Sequence, residues 1–314
     1  MNLHEHKDDF SQLIAITADR IGIPADAVRR DYYIVKMMQN LQNSAFADKC
    51  VFKGGTSLSK CYPGSIERFS EDIDLTFIPN PDLNNKKYSK ALKQVEDVMT
   101  RGFLMEKIES ERNDRNKSAY VWPEDEDKDS SRIKLEIGSS VRPDPYSIKT
   151  MKTYIQEYLE SEGMQDAAAE FDLGEVSVNA LDISRTFLDK VMSVKRHAIC
   201  GTLPSKVRHI YDVTVLLRRK DIQAFLNDSE HLKELIRLTK DTDSFYLQKR
   251  NISKEYDPTA SYCFEEWRGY FDDEIKRRYE SLHEDLLYTT EKQRFEDALE
   301  AFSYVSEVFS GIGE

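Results

Sequence analysis

The sequence has 314 residues, of which 57 are acidic and 45 are basic, so its formal net charge is −12. Hydrophobic residues make up 39%, which is typical of a soluble globular protein and excludes disordered and fibrous classes. The length allows one large domain or two packed domains. The excess of acidic residues argues against non-specific binding of duplex nucleic acid, because such binding needs a basic surface. It is compatible with a local basic cleft that binds RNA.

No feature of the sequence indicates a membrane or an oxidising compartment. No apolar run approaches the ~20 residues that would cross a bilayer, and the N-terminal MNLHEHKDDF lacks the apolar core of a secretory signal. The cysteines lie far apart and form no Cys-x-x-Cys pair, which argues against a disulfide framework or a zinc knuckle. We therefore expect a cytoplasmic protein that does not bind a membrane.

In the N-terminal part, hydrophobic spacing predicts two helices over about the first 45 residues, separated by Gly22 and Pro24. CVFKGGTS predicts a short strand that leads into a glycine turn. SLSKCY predicts one or two helical turns, and DIDLTFIP predicts a strand that ends at Pro79.

Further along, residues 84–110 carry a helical pattern, and the acidic stretch 124–131 predicts a loop between the strands SAYVWP and SRIKLEIGSS. Another helix is predicted from about residue 148 to 170, followed by the apolar stretch VSVNAL at 176–181. Everything after about residue 184 has a helical pattern.

These elements predict a fold of the α/β (α+β) class. We expect a catalytic domain with a small mixed sheet and N-terminal helices over residues 1–180, and a helical C-terminal domain over residues 181–314 that closes the cleft. No internal repeat or low-complexity linker separates the two.

The segment FKGGTSLSKCYPGSIERFSEDIDLTF, residues 52–77, carries the clearest chemical signal. It begins with Gly54 and Gly55, followed by Thr56 and Ser57. Glycines let the backbone come close to a ligand, and N–H groups at the start of a short helix favour an anion such as phosphate. We therefore predict nucleotide phosphates at these four residues.

Asp72 and Asp74 lie two residues apart on a predicted strand, so their side chains leave the same face, while Ile73 and Leu75 point the other way. Two carboxylates on one face repel unless a cation lies between them. Magnesium prefers carboxylate and phosphate oxygens. The pair therefore predicts a Mg²⁺ site that binds a metal–nucleotide complex, with the chemistry of a two-metal centre.

A third carboxylate is expected on a neighbouring strand, and Glu136 in IKLEIG supplies it. Lys60 and Arg68 add positive charge beside the site, and Lys60 is predicted to bind the nucleotide. Each feature alone is common, but their joint occurrence in this order favours a catalytic site. The segment matches neither a Walker A motif nor a dinucleotide fingerprint.

The segment KGGTSLSK…RFSEDIDL resembles the AbiEii-type nucleotidyltransferases, which belong to the DNA polymerase β-like superfamily. These enzymes are the toxins of AbiE-like abortive-infection toxin–antitoxin systems. DYYIVKMMQNL at 31–41 resembles the N-terminal segment of that family. RTFLDKVMSVKRH at 185–197 and VRHIYDVTVLL at 207–217 resemble its two downstream motifs.

The resemblance implies a role for each matching residue. Gly54, Gly55 and Ser57 would hold the triphosphate, and Asp72 and Asp74 would bind Mg²⁺. Two further roles follow from the downstream motifs: Lys190 would contact the phosphates, and Asp212 would help to organise the site or the incoming nucleophile. Glu136 is assigned through the superfamily pattern.

The resemblance also implies a function. We expect Mg²⁺-dependent transfer of a nucleoside monophosphate from an NTP to an RNA hydroxyl, most plausibly a tRNA 3′ end, by a toxin that arrests growth in phage defence. A cognate antitoxin is expected to be encoded nearby, without a stable complex. A protein or small-molecule hydroxyl as acceptor, or a non-catalytic NTP-binding module, stays open as an alternative.

Basic clusters in the C-terminal half are candidates for an RNA-binding face. They are Lys195-Arg196, Arg218-Arg219-Lys220 and Lys276-Arg277-Arg278. The sequence does not indicate which NTP is used or whether the protein forms oligomers.

Overall fold

The computed structural model describes residues 2–139, 141–247, 256–289 and 291–313. The chain divides into two compact units. The first comprises residues 1–61, 69–139 and 146–181, and the second comprises 62–68, 140–145 and 182–314. Two short segments that lie early in the sequence are therefore part of the helical second unit.

The first unit contains seven strands and seven α-helices among its described residues. They are α1 (Lys7–Ile21), α2 (Ala25–Gln42), β1 (Cys50–Lys53), α3 (Gly54–Cys61), β2 (Asp72–Phe77), α4 (Asn85–Met99), β3 (Leu104–Lys107), β4 (Asn116–Trp122), α5 (Lys128–Ser131), β5 (Ile133–Gly138), β6 (Tyr146–Met151), α6 (Tyr154–Ser161), α7 (Gln165–Glu170) and β7 (Val176–Leu181).

The strands form one mixed sheet in the order β3-β4-β5-β2-β1-β7-β6. β2 pairs antiparallel with β1 and parallel with β5, so the strand that carries the paired aspartates lies in the interior of the sheet. Helices α2 and α4 pack against each other and against the sheet. The predicted mixed α/β fold is confirmed.

Among its described residues, the second unit contains helices joined by turns and no β-strand. Its helices are α8 (Ile183–Ile199), α9 (Val207–Leu217), α10 (Lys220–Asn227), α11 (Ser229–Leu247), α12 (Phe264–Trp267), α13 (Asp273–Asp285) and α14 (Phe295–Gly311). α8 packs on α9, and Phe264, Trp267 and Phe302 form an aromatic core between α12 and α14. None of the helices described in the two units is long and apolar enough to span a membrane.

The sequence patterns miss both edge strands. β3 lies inside the helix predicted over 84–110, and β6 begins before the helix predicted from residue 148, which starts only at Tyr154. An edge strand buries little of its surface: Ile148 on β6 is 73% exposed and Leu104 on β3 is 41% exposed. Such strands therefore lack the alternation of apolar and polar residues that identifies a buried strand.

Burial in the sheet predicts a contrast between two isoleucines. Ile137 on β5 is fully buried, so Ile137→Ala should lower the free energy of unfolding by about 2–5 kcal/mol through lost transfer energy and a cavity. Ile148→Ala, the same truncation at an exposed position, should change it by less than about 0.5 kcal/mol. Urea unfolding followed by circular dichroism measures both. Equal losses in the two variants would contradict this sheet arrangement.

Candidate active site

The glycine turn brings the backbone directly against a carboxylate. β1 ends at Lys53 and α3 begins at Gly54, whose φ of +86° lies in the left-handed region that favours glycine. A Cβ at Gly54 would overlap Oδ2 of Asp74 at a separation that real Cβ atoms essentially never show. Only glycine therefore allows the start of α3 to lie this close to Asp74.

Asp72 and Asp74 occupy alternate positions on β2, and both are half-buried, while the intervening Ile73 and the following Leu75 are buried. Because strand side chains alternate, the two carboxylates leave one face of the sheet with their Cα atoms about 7 Å apart. The structure therefore brings together Gly54, Asp72 and Asp74, as the sequence predicts.

Glu136 lies directly opposite Asp74, since β2 and β5 pair in parallel with Asp74 beside Glu136 and Asp72 beside Lys134. Lys134 Nζ is 2.5 Å from Glu136 Oε1 and 2.9 Å from Glu111 Oε2. Burial acts to lower the pKa of Lys134, but hydrogen bonds to the two glutamates outweigh it and raise that pKa above its ordinary value. Glu136 thus has a cationic partner, and its role as a metal ligand stays a prediction.

The donor set fits Mg²⁺. The described residues contain no group of three or more His, Cys, Asp and Glu side chains that could hold a metal ion by themselves. Magnesium, however, is usually bound by one or two carboxylates together with substrate phosphates and water. Asp72 and Asp74 beside a glycine turn match that requirement, so the metal and the nucleotide would bind together.

The hydroxyls of Thr56 and Ser57 form hydrogen bonds to other groups of the protein. Thr56 Oγ1 donates a hydrogen bond to the carbonyl of Asp72 and lies 3.0 Å from Ser70 Oγ, and Ser57 Oγ donates to the carbonyl of Phe52 at 3.3 Å. Both side chains are buried. Thr56 and Ser57 can therefore bind a phosphate through their backbone N–H groups, which lie in the first turn of α3.

Lys60 is predicted from the sequence to bind the nucleotide, but the structure gives it a different environment. Its Nζ lies 2.7 Å from Asp31 Oδ1 and 3.9 Å from the centre of the Tyr154 ring. Asp31 Oδ2 in turn accepts the backbone N–H of Tyr154 at 2.7 Å. The Lys60 side chain is 2% exposed, so we assign it to linking α3 with α2 and α6.

Sequence reasoning overlooked Lys53. It lies directly opposite Asp74 in the antiparallel β1–β2 ladder, and directly opposite residues share a face of the sheet. Lys53 therefore adds positive charge to the face that carries the two aspartates. Its position immediately before the glycine pair was visible in the sequence, but the strand register that places it opposite Asp74 was not.

In the second unit, Asp212 forms a buried charge cluster with Arg68 and Lys190. Arg68 Nε and Nη2 bind Oδ1 and Oδ2 of Asp212 at 2.6 and 2.7 Å, and Lys190 Nζ lies 2.7 Å from Oδ2. Burial acts to raise the pKa of Asp212, but the two cations outweigh it and hold that pKa well below its usual range. The sequence identified all three residues but did not indicate that they contact one another.

The half-buried His209 lies near this cluster, with Nδ1 3.1 Å from Ser193 Oγ. Desolvation and the nearby Lys190 ammonium hold the pKa of His209 well below its ordinary value. The cluster and the glycine–aspartate site are thus two groups of candidate residues, each formed within its own unit.

A glycine turn against paired aspartates on a mixed sheet is the arrangement that the sequence predicts for a nucleotidyltransferase, and comparisons with known proteins show the family. A family model described as "Nucleotidyl transferase AbiEii toxin, Type IV TA system" matches residues 36–301. The chain therefore belongs to the AbiEii nucleotidyltransferase toxin family, as its motifs predict. It is an enzyme of the nucleotidyltransferase class and the toxin of a type IV toxin–antitoxin system. An antitoxin partner and an NTP substrate follow from that membership.

One solved structure shows a similar fold. The chain is similar to MenT4, a nucleotidyltransferase toxin from Mycobacterium tuberculosis H37Rv, with a TM-score of 0.51 and 16% identity over 96% of this chain and 99% of that one. A protein from H. pylori described as a nucleotidyltransferase aligns with a TM-score of 0.39 and 16% identity over 83% of this chain and 98% of that one. No curated protein sequence matches the chain.

The contact between Gly54 and Asp74 predicts the effect of one methyl group. Gly54→Ala should lower nucleotidyl transfer about 100-fold or more, because the new Cβ displaces the Asp74 carboxylate by the order of an ångström. Gly22→Ala is the matched control. Gly22 also has a positive φ, of +77°, but open space surrounds its missing Cβ, so the control carries the backbone strain alone. Equal activities of the two variants would contradict the assignment.

The Arg68–Asp212 pair predicts a change in acid stability. Because the pKa of folded Asp212 is depressed, its charge stabilises the fold above the unfolded pKa of about 3.9, and this contribution is lost as pH falls toward the folded value. Arg68→Gln should raise the pKa of Asp212 in the folded protein, so the midpoint of acid unfolding should move to higher pH. The loss of one partner of a buried pair should cost about 3–5 kcal/mol at neutral pH.

Acid titration followed by circular dichroism tests this expectation, with Arg68→Lys as a milder variant that keeps the charge. Arg268→Gln is the control, since Arg268 pairs with Glu265 on the surface with 49% of its side chain exposed. If the acid midpoint is unchanged in both Arg68 variants, the pKa of folded Asp212 does not depend on the Arg68 guanidinium.

Proposed function

We propose that this protein transfers a nucleoside monophosphate from a Mg²⁺-bound NTP to an RNA hydroxyl, with a tRNA 3′ end as the acceptor. The observation that carries the proposal is the contact of Gly54 with Asp74, which joins a phosphate-binding turn to a pair of carboxylates. Phosphate and divalent metal are the two ligands that these groups favour, and an NTP–Mg²⁺ complex contains both.

In the proposed reaction, the acceptor oxygen attacks the α-phosphorus, a new P–O bond forms, and the bond to the β-phosphate oxygen breaks. The products are the nucleotidylated acceptor, pyrophosphate and a proton. Asp72 and Asp74 would hold the metal, which when bound neutralises phosphate charge and polarises the reacting oxygens. The N–H groups at Gly55, Thr56 and Ser57 would orient the triphosphate.

The resemblance to the family motifs gives Lys190 and Asp212 roles in the proposed reaction. Lys190 would contact the phosphates, and Asp212 would fix the direction of the Lys190 ammonium, which it contacts at 2.7 Å. Arg68 binds both oxygens of Asp212, so the carboxylate cannot rotate away from Lys190 without losing a bidentate pair.

The RNA acceptor and the biological role are supported by family resemblance. We propose that the protein acts in the cytoplasm, where modification of tRNA would stop translation and abort phage infection. An antitoxin encoded nearby would prevent that outcome without forming a stable complex with the toxin.

The reaction can be tested directly with purified protein, Mg²⁺, each α-labelled NTP in turn and total tRNA, followed by a denaturing gel. Label on RNA from one NTP would support the proposal and identify the nucleotide. Label on the protein would redirect the assignment to a protein acceptor. Intact NTP with no label anywhere would contradict transfer to tRNA.

The paired carboxylates predict the outcome of two substitutions in that assay. Asp72→Asn and Asp74→Asn should each lower transfer by about 10²–10³-fold or more, because the neutral amide binds a divalent cation poorly, while the far-UV circular dichroism spectrum stays that of the wild type. Asp82→Asn, at an exposed position, is the control and should keep full activity. Full activity in either of the first two variants would remove that carboxylate from the mechanism.

A further inference from the structure

Helix α4 presents a row of lysines to solvent. Lys86, Lys87, Lys90 and Lys93 are all exposed, whereas the larger apolar residues on the other side of the helix, among them Leu92, are buried. Positions 86, 90 and 93 follow helical spacing, so these three ammonium groups form a stripe about 10 Å long. We call these four lysines the α4 lysine face.

These lysines differ from the basic clusters that the sequence suggested for RNA. Among the residues that the structure describes, none of the four forms an ion pair. In contrast, the C-terminal clusters are engaged within the protein: Arg196 binds Asp243, Arg218 binds Glu291, Arg219 binds Asp221, Lys276 binds Glu296 and Arg278 binds Glu274. Five of the eight charges in these clusters are therefore already balanced by neighbouring carboxylates.

The stability of α4 does not account for its lysines. Lys86 and Lys87 lie in the first turn, which contains no acidic residue, although the helix dipole favours anions there and disfavours cations by about 0.3–1 kcal/mol each. Asp97 is the acidic residue on the exposed side of the helix, and it lies near the opposite end. The cations therefore occupy the end at which an isolated helix would least favour them.

Arg115 extends the positive surface beside the first turn of α4. Its guanidinium lies 3.7 Å from the centre of the Tyr88 ring, and its Nε donates to Asn85 Oδ1 at 3.0 Å. Next to it, Lys117 Nζ lies 3.1 Å from Ser89 Oγ. Asp114 is the neighbouring acidic residue. Stacking and hydrogen bonds thus hold Arg115 at the edge of the lysine face.

We propose that the α4 lysine face, together with Arg115, binds the sugar–phosphate backbone of the RNA acceptor. The proposal rests on the proposed function and adds a surface for the acceptor. Because Tyr88 of α4 packs on Phe77, whose side chain leaves β2 on the face opposite to Asp72 and Asp74, this surface would bind a part of the RNA remote from its reacting end. In a chain with a net charge of −12, the acidic surface repels RNA, so contacts must come from a local group of uncompensated cations.

The chemistry of the face favours a polyphosphate over an acidic protein. Lysines supply point charges that suit phosphates spaced along a strand, and such contacts position nucleic acid without reading its sequence. The exposed side of α4 consists of polar residues and lacks the large apolar or aromatic anchors that form the centre of a protein–protein interface.

The test measures the affinity of the full-length protein for labelled tRNA, without NTP, across a series of KCl concentrations. The variant is Lys86→Gln/Lys90→Gln/Lys93→Gln. The matched control is Lys276→Gln/Arg277→Gln/Arg278→Gln, which removes the same charge from α13. Glutamine is a good helix former, so both variants should keep the helix content of the wild type.

We expect the α4 variant to bind tRNA about tenfold or more weakly at 0.1 M salt, and the slope of log affinity against log salt to fall by about 2, or about 0.7 for each lysine removed. The α13 control should keep most of the affinity and most of the slope. In turnover, the KM for tRNA should rise in the α4 variant while the KM for NTP stays unchanged.

The inference and the proposed function fail in different ways. Absence of label on RNA with the wild-type protein would refute the proposed function. Label on RNA with equal affinity and slope in the wild type and the α4 variant would refute the lysine face alone. Unchanged tRNA affinity combined with weaker binding of poly-glutamate would assign the face to an acidic protein and would also overturn the proposal.

Discussion

Asp72 and Asp74 carry like charges on one face of an interior strand, and the first unit is organised around that constraint. Two carboxylates on alternate positions of a strand, with Cα atoms about 7 Å apart, repel each other unless cations balance them. The sheet register supplies part of the compensation, because Lys53 lies opposite Asp74 and Lys134 lies opposite Asp72. The missing Cβ at Gly54 leaves room for the Asp74 carboxylate and keeps the start of α3 against it.

Buried ion pairs hold the elements that carry the motifs. Lys60 and Asp31 link the helix that follows the glycine turn to α2 and α6. In the second unit, Asp212 is shared between Arg68 and Lys190. Buried ion pairs contribute little net stability compared with apolar packing, but removal of one partner is costly. Such pairs therefore favour one arrangement of the motif residues over the alternatives.

The sequence predicted the local parts of the site well, because these depend on neighbours in the chain. The alternation of Asp72 and Asp74 and the glycine turn follow from short-range rules, and the structure retains both. The partner of Lys60 could not be predicted, because Asp31 lies 29 positions earlier in the sequence and meets Lys60 only through tertiary packing. The exposed edge strands β3 and β6 were missed because burial, which produces the apolar pattern, is weak there.

We propose above all that Asp72 and Asp74 hold the metal of a nucleotide bound at the glycine turn. Diffraction from crystals grown with Mn²⁺ and a non-hydrolysable NTP, recorded at a wavelength where manganese scatters anomalously, would test it most directly. The predicted result is a manganese peak between the two carboxylates, with the triphosphate against the N–H groups that follow Gly54. Metal and nucleotide bound at other residues, with the Asp72 and Asp74 carboxylates contacting neither, would contradict the account.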